Sequence, residues 1–242
     1  MKNVPVGLVR CEEYTEEAIE TAMQTLLKSI DGLSFLKPKM KVGIKVNLVA
    51  GKDPAQAATT NPLLVKALCR ELVKRGAEVI VGDSPGGLYT AGYVNGIYRL
   101  CKMDRINEPK VQLNQNFSVK EARYQEAAVL KTFSYTGWLD EVDVLINFCK
   151  LKTHAMMKMT CGVKNLFGTI PGIIKPEYHM RFPKIEDFAN MMVDLNEYFK
   201  PSLTIVDAID CMEGNGPTAG EVRHMGALFA SKSPYMADMV AA

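Results

Sequence analysis

The sequence predicts an α/β domain with a mixed, mainly parallel sheet flanked by helices in three layers. Amphipathic helical patterns alternate with short apolar runs along residues 15–82, which is the order of β-α-β units with parallel strands. The run at residues 142–149 is apolar on both faces, as expected for a strand that is covered on each side. These two patterns together favour an open α/β sheet.

Composition narrows the functional classes. The chain has 242 residues, is 48% hydrophobic and 23% charged, and carries a formal charge of +2. This balance is typical of a folded domain and disfavours a nucleic-acid-binding module. No apolar run approaches the ~18 residues of a membrane span, and the first residues lack the pattern of a signal peptide. We therefore expect a cytoplasmic protein without a membrane or nucleic-acid partner.

Four helices are predicted over residues 15–30, 62–75, 89–103 and 184–200. Thr15 is a suitable N-cap, Pro62 suits a first helical turn, and Gly76 suits the position after a helix end. In the fourth helix the following residues fall on one apolar face: Ile185, Phe188, Met192, Leu195 and Phe199.

Strands are predicted over residues 40–49, 77–81, 142–149, 203–206 and 225–230. Alternation along the first strand places Val42 and Ile44 on one face and Lys45 and Asn47 on the other. Residues 107–140 are expected to form short strands and turns with an antiparallel excursion. The order of these strands in the sheet is not predicted.

Residues 1–242 are expected to form one α/β domain that is cut short at its C-terminal edge. Ser233 and Pro234 suit a cap and a first turn, but the helix that they would start has barely two turns and no closing glycine. The six cysteines contain no C-x-x-C pair, so no local zinc or iron–sulfur motif is present. We expect reduced, mostly buried thiols.

The candidate functional residues follow the ends of predicted strands, where open α/β sheets bind ligands. Lys150, Lys152 and His154 would project from one face if the chain stays extended. Lys164 and Asn165 lie between glycines that permit close backbone approach to a phosphate or carboxylate. For each segment the alternative is a solvated loop or helix with exposed lysines.

Two further segments could contribute to an anion site. Lys45 and Asn47 end a strand, and Thr60 precedes the helix at Pro62, although Asn61 could simply cap that helix.

Acidic residues suggest other ligands. Asp83 and Ser84 could bind a metal or a substrate hydroxyl, or could cap a helix. Asp207 and Glu213 could hold a divalent cation or orient a lysine, or could belong to a structural glycine-rich loop. A site that gathers all three histidines is disfavoured. The cofactor therefore stays unknown, with a divalent metal as one option.

Five blocks in this order resemble the family known as domain of unknown function 362 (DUF362): IKVNLV, TTNP, EVIVGDSPGG, LINFCKLKTHAMMKMTCGVKNLFG and LTIVDAIDCMEGNGPTAG. The resemblance covers about residues 40–240. It implies a polar cluster without assigned roles at Lys45, Asn47, Asp83, Lys152, His154, Lys164, Asn165, Asp207 and Glu213. Members are largely uncharacterised bacterial and archaeal proteins, and many carry a ferredoxin-like iron–sulfur segment that this chain lacks.

Two functions stay open at this point. The first is an enzyme-like domain that binds a small carboxylate or phosphate, with His154 as general acid or base and Lys152 beside it. The second is a non-catalytic ligand-binding or redox-partner module that associates with a ferredoxin-type protein or domain.

Overall fold

The computed structural model describes residues 4–242. Ten strands are present within them: β1 (Val6–Arg10), β2 (Lys41–Lys45), β3 (Glu78–Gly82), β4 (Val111–Leu113), β5 (Val119–Arg123), β6 (Thr132–Thr136), β7 (Val144–His154), β8 (Lys158–Thr160), β9 (Leu203–Glu213) and β10 (Glu221–Ser231). Strands β5 and β6 form a separate antiparallel hairpin. The other eight form one sheet in the order β1-β10-β9-β7-β2-β3-β4, with β8 paired to β7.

The centre of the large sheet is parallel. Strands β9, β7, β2, β3 and β4 run in the same direction, while β10, β1 and β8 add antiparallel pairs. This confirms the predicted mixed, mainly parallel class. The excursion at residues 107–140 is also confirmed, because it contains the β5–β6 hairpin.

Seven α-helices flank the sheet within the described residues: α1 (Glu16–Ser29), α2 (Pro62–Lys74), α3 (Ala91–Leu100), α4 (Gly162–Asn165), α5 (Lys175–Arg181), α6 (Ile185–Phe199) and α7 (Pro234–Ala241). Side chains of β3 alternate between two apolar cores. Val79 and Val81 pack into the core that includes α1 and α2, whereas Ile80 packs into the core that includes α6. The sheet therefore has a core on each face.

Two boundaries differ from the sequence prediction in ways that matter for the site. Strand β2 ends at Lys45, whereas β7 continues to His154 because β8 and β9 pair with its second half.

Ile185 was expected on the apolar face of α6, but it is 53% exposed because it is the first residue of that helix. All six cysteines are buried and free, as predicted.

No helix within residues 4–242 is long and apolar enough to cross a membrane.

Candidate functional site

A cavity of about 180 Å³ lies where β2, β3 and β7 end, and we name it the lysine cavity. Eight residues that the sequence singled out line it: Lys45, Asn47, Asp83, Ser84, Lys152, His154, Lys164 and Asn165. Other residues in the lining were not among the predicted site residues, chiefly Thr160, Phe167, Gly168, Lys175 and His179. Four lysines and two histidines thus face one small space together with a single carboxylate, that of Asp83.

A buried ion pair forms one wall of the lysine cavity. Lys45 Nζ lies 2.9 Å from Asp83 Oδ1, and both side chains are almost fully buried. The same ammonium donates to Val46 O at 2.7 Å and to Asn165 Oδ1 at 3.0 Å. Burial lowers the pKa of Lys45, while the Asp83 charge opposes that shift. The ammonium thus makes one ion pair and two hydrogen bonds, which hold Lys45 in the wall of the cavity.

Amides fix the neighbouring side chains. Asn47 Nδ2 donates to Asn165 Oδ1 at 2.9 Å, and Lys152 Nζ donates to Asn47 Oδ1 at 2.8 Å. Thr60 Oγ1 accepts from the Asn47 backbone N–H and donates to Phe148 O, both at 2.9 Å. Thr60 is thus fully buried behind the cavity and positions Asn47.

Asn61 caps α2, because its side chain accepts from Leu63 N at 3.0 Å. The capping alternative considered for this segment is therefore correct for Asn61. Ser84 also supports the structure, since its Oγ accepts from Gly172 N at 2.8 Å.

Several hydrogen-bond donors in the cavity have spare capacity. Among the described residues, the Lys164 ammonium has no hydrogen-bond partner and lies 5.9 Å from the centre of the Phe167 ring. Lys175 donates to the backbone oxygen of Ser84 only. The Thr160 hydroxyl is buried and has no hydrogen-bond partner within residues 4–242. An unpaired buried hydroxyl such as that of Thr160 is costly, and the two lysines beside it are half-buried, so the cavity favours a ligand that accepts hydrogen bonds.

Burial and mutual repulsion weaken the protonation of these lysines. The pKa of Lys152 falls to about 7, first through burial and then through the Lys164 charge. Burial also lowers the pKa of Lys175 to about 7 and that of Lys164 to about 8. An anion would offset the repulsion, so its binding and the protonation of these amines are coupled.

His154 has a defined tautomer in the neutral state. Its Nδ1 accepts a hydrogen bond from Met157 N at 3.2 Å, so the ring hydrogen lies on Nε2. Burial and the Lys164 and Lys152 charges lower the pKa of His154 to about 4. At neutral pH His154 therefore offers an N–H donor, whereas the sequence suggested a general acid or base.

The remaining predicted residues lie outside the cavity. Lys150 is fully buried and pairs with Asp207 at 3.0 Å, and both groups hydrogen-bond to the hydroxyl of Tyr14. Glu213 pairs with Arg223 at 2.8 Å on the surface. No group of three histidine, cysteine, aspartate or glutamate side chains within residues 4–242 is arranged to hold a metal ion. The structure does not bring Asp207 and Glu213 together.

Lys175 and His179 are the most important residues that sequence reasoning missed. They are four residues apart on α5, so they share a helix face. This spacing was the available signal. His154 and His179 meet at the cavity, but His224 lies elsewhere and contacts Asp210 and Glu12.

A larger cavity of about 500 Å³ is lined partly by Tyr14, Lys66 and Lys102. Its two lysines are already paired at 2.8 Å, Lys66 with Glu16 and Lys102 with Asp53. Arg105 also lines this cavity but is exposed to solvent, so the lysine cavity is the better candidate for an anion site.

Gly168 allows the backbone to approach the Lys45–Asp83 pair. A Cβ at this position would collide with Asp83 Oδ1 and Lys45 Nζ. We expect Gly168→Ala to lower the free energy of unfolding by about 1–3 kcal/mol, the usual cost of overpacking. Urea denaturation measures this change.

Gly92→Ala is the matched control, because no heavy atom lies within 4 Å of its added Cβ and the residue is in α3. That substitution should stabilise the protein by about 0.5–1 kcal/mol. Equal effects of the two substitutions would contradict the close approach at Gly168.

Comparisons with known proteins place the chain in a family. A family model described as "Domain of unknown function (DUF362)" matches residues 42–242. The curated "Thylakoid-associated protein sll1697" of Synechocystis sp. is 33% identical over 240 residues, which cover 97% of this chain and 72% of that protein.

A solved structure, that of the lactate racemase apoprotein from Thermoanaerobacterium thermosaccharolyticum, has a similar fold with a TM-score of 0.52. The match covers 97% of this chain and 55% of the racemase chain, so this chain spans about half the length of that protein. At 9% identity the likeness concerns the fold alone. The family match covers most of the sequence and all the cavity residues, and the chain belongs to the DUF362 family.

Proposed function

We propose that the lysine cavity binds a small carboxylate or phosphate as the ligand of an enzyme-like domain. The main support for this proposal is that the cavity has more free hydrogen-bond donors than free acceptors. Lys164, Lys175 and the Thr160 hydroxyl retain unused donor capacity. The carboxylate of Asp83 is already occupied by Lys45 and by the backbone N–H of Leu48. A ligand rich in acceptor oxygens matches this inventory.

Size restricts the ligand further. Pockets for drug-sized molecules usually measure about 300–1,000 Å³, and the lysine cavity is smaller, at about 180 Å³. An anion of a few heavy atoms fits better than a nucleotide. The elements around the cavity also lack the glycine spacing of a nucleotide-binding P-loop.

An enzyme-like role is supported by two facts. Perturbed amines and histidines gather in one cleft at the carboxyl ends of parallel strands, as catalytic groups often do. The fold resembles that of a racemase, although that likeness transfers no substrate to this chain. Within the proposal, Lys164 and Lys175 bind the anion, and His154 and Lys152 face its reactive part.

Two alternatives from the sequence stay predictions. Association with a ferredoxin-type protein or domain would be tested by iron and sulfide analysis of the purified protein. Binding of a divalent cation would be tested by metal analysis of the same sample.

The experiment for the main proposal is a set of equilibrium titrations at pH 7 with inorganic phosphate, oxalate and pyruvate. Glycerol serves as an uncharged control of similar size. We expect saturable binding of at least one anion and none of glycerol. If all four compounds fail to bind, or if glycerol binds as tightly as the anions, the proposal is wrong.

A further inference from the structure

Lys152 differs from the other lysines of the cavity in how its nitrogen is held. Its Nζ donates to Asn47 Oδ1 at 2.8 Å and to Ala58 O at 2.6 Å. The residue lies on β7, within the sheet, and its side chain is almost completely buried while lining the cavity. The nitrogen is therefore held by two acceptors, one from Asn47 and one from Ala58.

Two acceptors suit a neutral amine. A neutral amine has two N–H bonds and one lone pair, so Asn47 Oδ1 and Ala58 O occupy both hydrogens and leave the lone pair free. Burial and the charges of Lys164, Lys150 and Lys45 all disfavour protonation of Lys152, while Asp83 favours it. The balance lowers the pKa of Lys152 to about 7, so a large share of the amine is unprotonated near neutral pH.

The other amines are less suited to act as nucleophiles. Lys45 is paired with the Asp83 carboxylate, which favours its charged form, and it donates two hydrogen bonds. Lys150 forms an ion pair with Asp207 and does not line the cavity. Lys164 has no anchoring acceptor among the described residues and keeps a higher pKa, about 8, which suits it to hold an anion. Lys175 has a similarly lowered pKa, but a single acceptor holds its nitrogen, so the amine is less well positioned than that of Lys152.

We propose that Lys152 forms an imine with the carbonyl carbon of a small oxo acid whose carboxylate is held in the lysine cavity. This inference rests on the proposed anion site and specifies its substrate class. The Nζ lone pair attacks the carbonyl carbon, and a C–N bond forms. The nitrogen gives up its two hydrogens, the carbonyl oxygen takes up two protons and leaves as water, and the C=N bond completes the imine. No oxidant or reductant takes part.

The cavity also contains groups that assist both halves of this step. The Lys164 ammonium can hold the carboxylate. His154 offers its Nε2–H to the departing oxygen, because its Nδ1 is occupied by Met157 N. The cavity thus combines one neutral amine with neighbours that are charged or donate hydrogen bonds, as imine formation requires.

The test is reductive trapping of the full chain. The protein is incubated at pH 7 with pyruvate or glyoxylate and then with sodium borohydride, which reduces an imine to a stable secondary amine. Intact mass spectrometry should show one added reduced oxo acid, and peptide mapping should place it on Lys152. Lactate, which has no ketone carbonyl, should give no adduct.

Lys152→Arg keeps a positive charge and hydrogen-bond donors but removes the nucleophilic amine. This variant should lose the adduct. Lys120→Arg, at an exposed position of β5, is the matched control and should retain it.

Three outcomes separate the inference from the anion site beneath it. Saturable pyruvate binding without any adduct would overturn the imine and leave the anion site intact. An adduct on Lys164 or Lys175 would overturn the assignment to Lys152. Absence of both pyruvate binding and an adduct would overturn the imine alone if phosphate or oxalate still binds, and would overturn the anion site as well if neither binds.

Discussion

Lys164→Gln is expected to weaken binding of phosphate or oxalate by about 10- to 150-fold, the equivalent of about 1.5–3 kcal/mol for a hydrogen bond to a charged group. Lys164 is the lysine of the cavity whose ammonium has no hydrogen-bond partner within the described residues, so the ligand is its natural acceptor. For the same reason its removal breaks no internal bond. The free energy of unfolding should stay unchanged or rise slightly, because repulsion with Lys45 is removed. Calorimetric titration and urea denaturation measure the two quantities.

Lys120→Gln provides the control for this prediction. Lys120 is an exposed lysine in the β5–β6 hairpin, outside the large sheet, and its loss changes the net charge by the same amount. Anion affinity should be nearly unaffected by it. Equal losses of affinity in the two variants would show that general charge attraction, and not the cavity, governs binding.

Asp83→Ala is expected to lower the free energy of unfolding by about 3–5 kcal/mol, because it leaves the buried Lys45 ammonium without its counterion. Both members of the pair are almost fully buried, with 1% and 3% of their side chains exposed. The substitution also removes the acceptor of Leu48 N, which lies 2.8 Å from Asp83 Oδ2. Chemical denaturation at pH 7 tests the expectation.

Two variants check the cause of that loss. Glu213→Ala breaks the exposed Glu213–Arg223 pair and should cost no more than about 1 kcal/mol. Combining Asp83→Ala with Lys45→Met removes the stranded charge and should recover part of the stability. If the double variant is as unstable as the sum of the two single variants, an uncompensated Lys45 charge is not the cause.

Much of the site was predictable because it depends on local sequence and one rule of topology. The KLKTH and KNLFG segments and Asp83 follow strands, and the carboxyl ends of parallel strands meet at one edge. That rule correctly gathers Lys45, Asp83 and Lys152, with no knowledge of the strand order. The helix boundaries near Thr15 and Asn61 were predictable for a similar reason, since caps act locally.

The rest depended on contacts that are distant in sequence. Lys150 and Lys152 share a face of β7 by parity, yet only Lys152 reaches the cavity. Lys150 is paired in register with Asp207 of β9, and the register shifts before Lys152, so their surroundings differ. That pairing also gives Asp207 an ion partner, which no spacing in the sequence reveals.

Lys175 and His179 were missed for the same kind of reason. They follow a connection that folds back over the cavity through contacts such as Gly172 N with Ser84 Oγ. Their helical spacing is visible in the sequence, but the element against which they pack is not.

The stability of the ligand-free protein and its affinity for anions should change with pH in opposite directions. The pKa values of Lys152 and Lys175 are about 7 in the folded protein, against an ordinary value of 10.5. Between these values the unfolded chain binds more protons, so the ligand-free protein should become more stable as pH rises from 7. The protonated cavity binds anions better, so affinity should fall over the same range. The charges that face these two amines are those of Lys45, Lys164 and Asp83, with Lys150 also facing Lys152.

Calorimetric titration of the unmodified protein with oxalate, which stays a dianion between pH 6 and pH 9, in two buffers of different ionisation enthalpy tests the anion site most directly. Because an anion raises the pKa of the lysines around it, binding near pH 7–8 should take up protons, and affinity should decrease as pH rises through that range. The same saturable signal should be much weaker in Lys164→Gln. Absence of oxalate binding at every pH, or binding that tightens with rising pH and releases protons, would contradict an anion site built from these lysines.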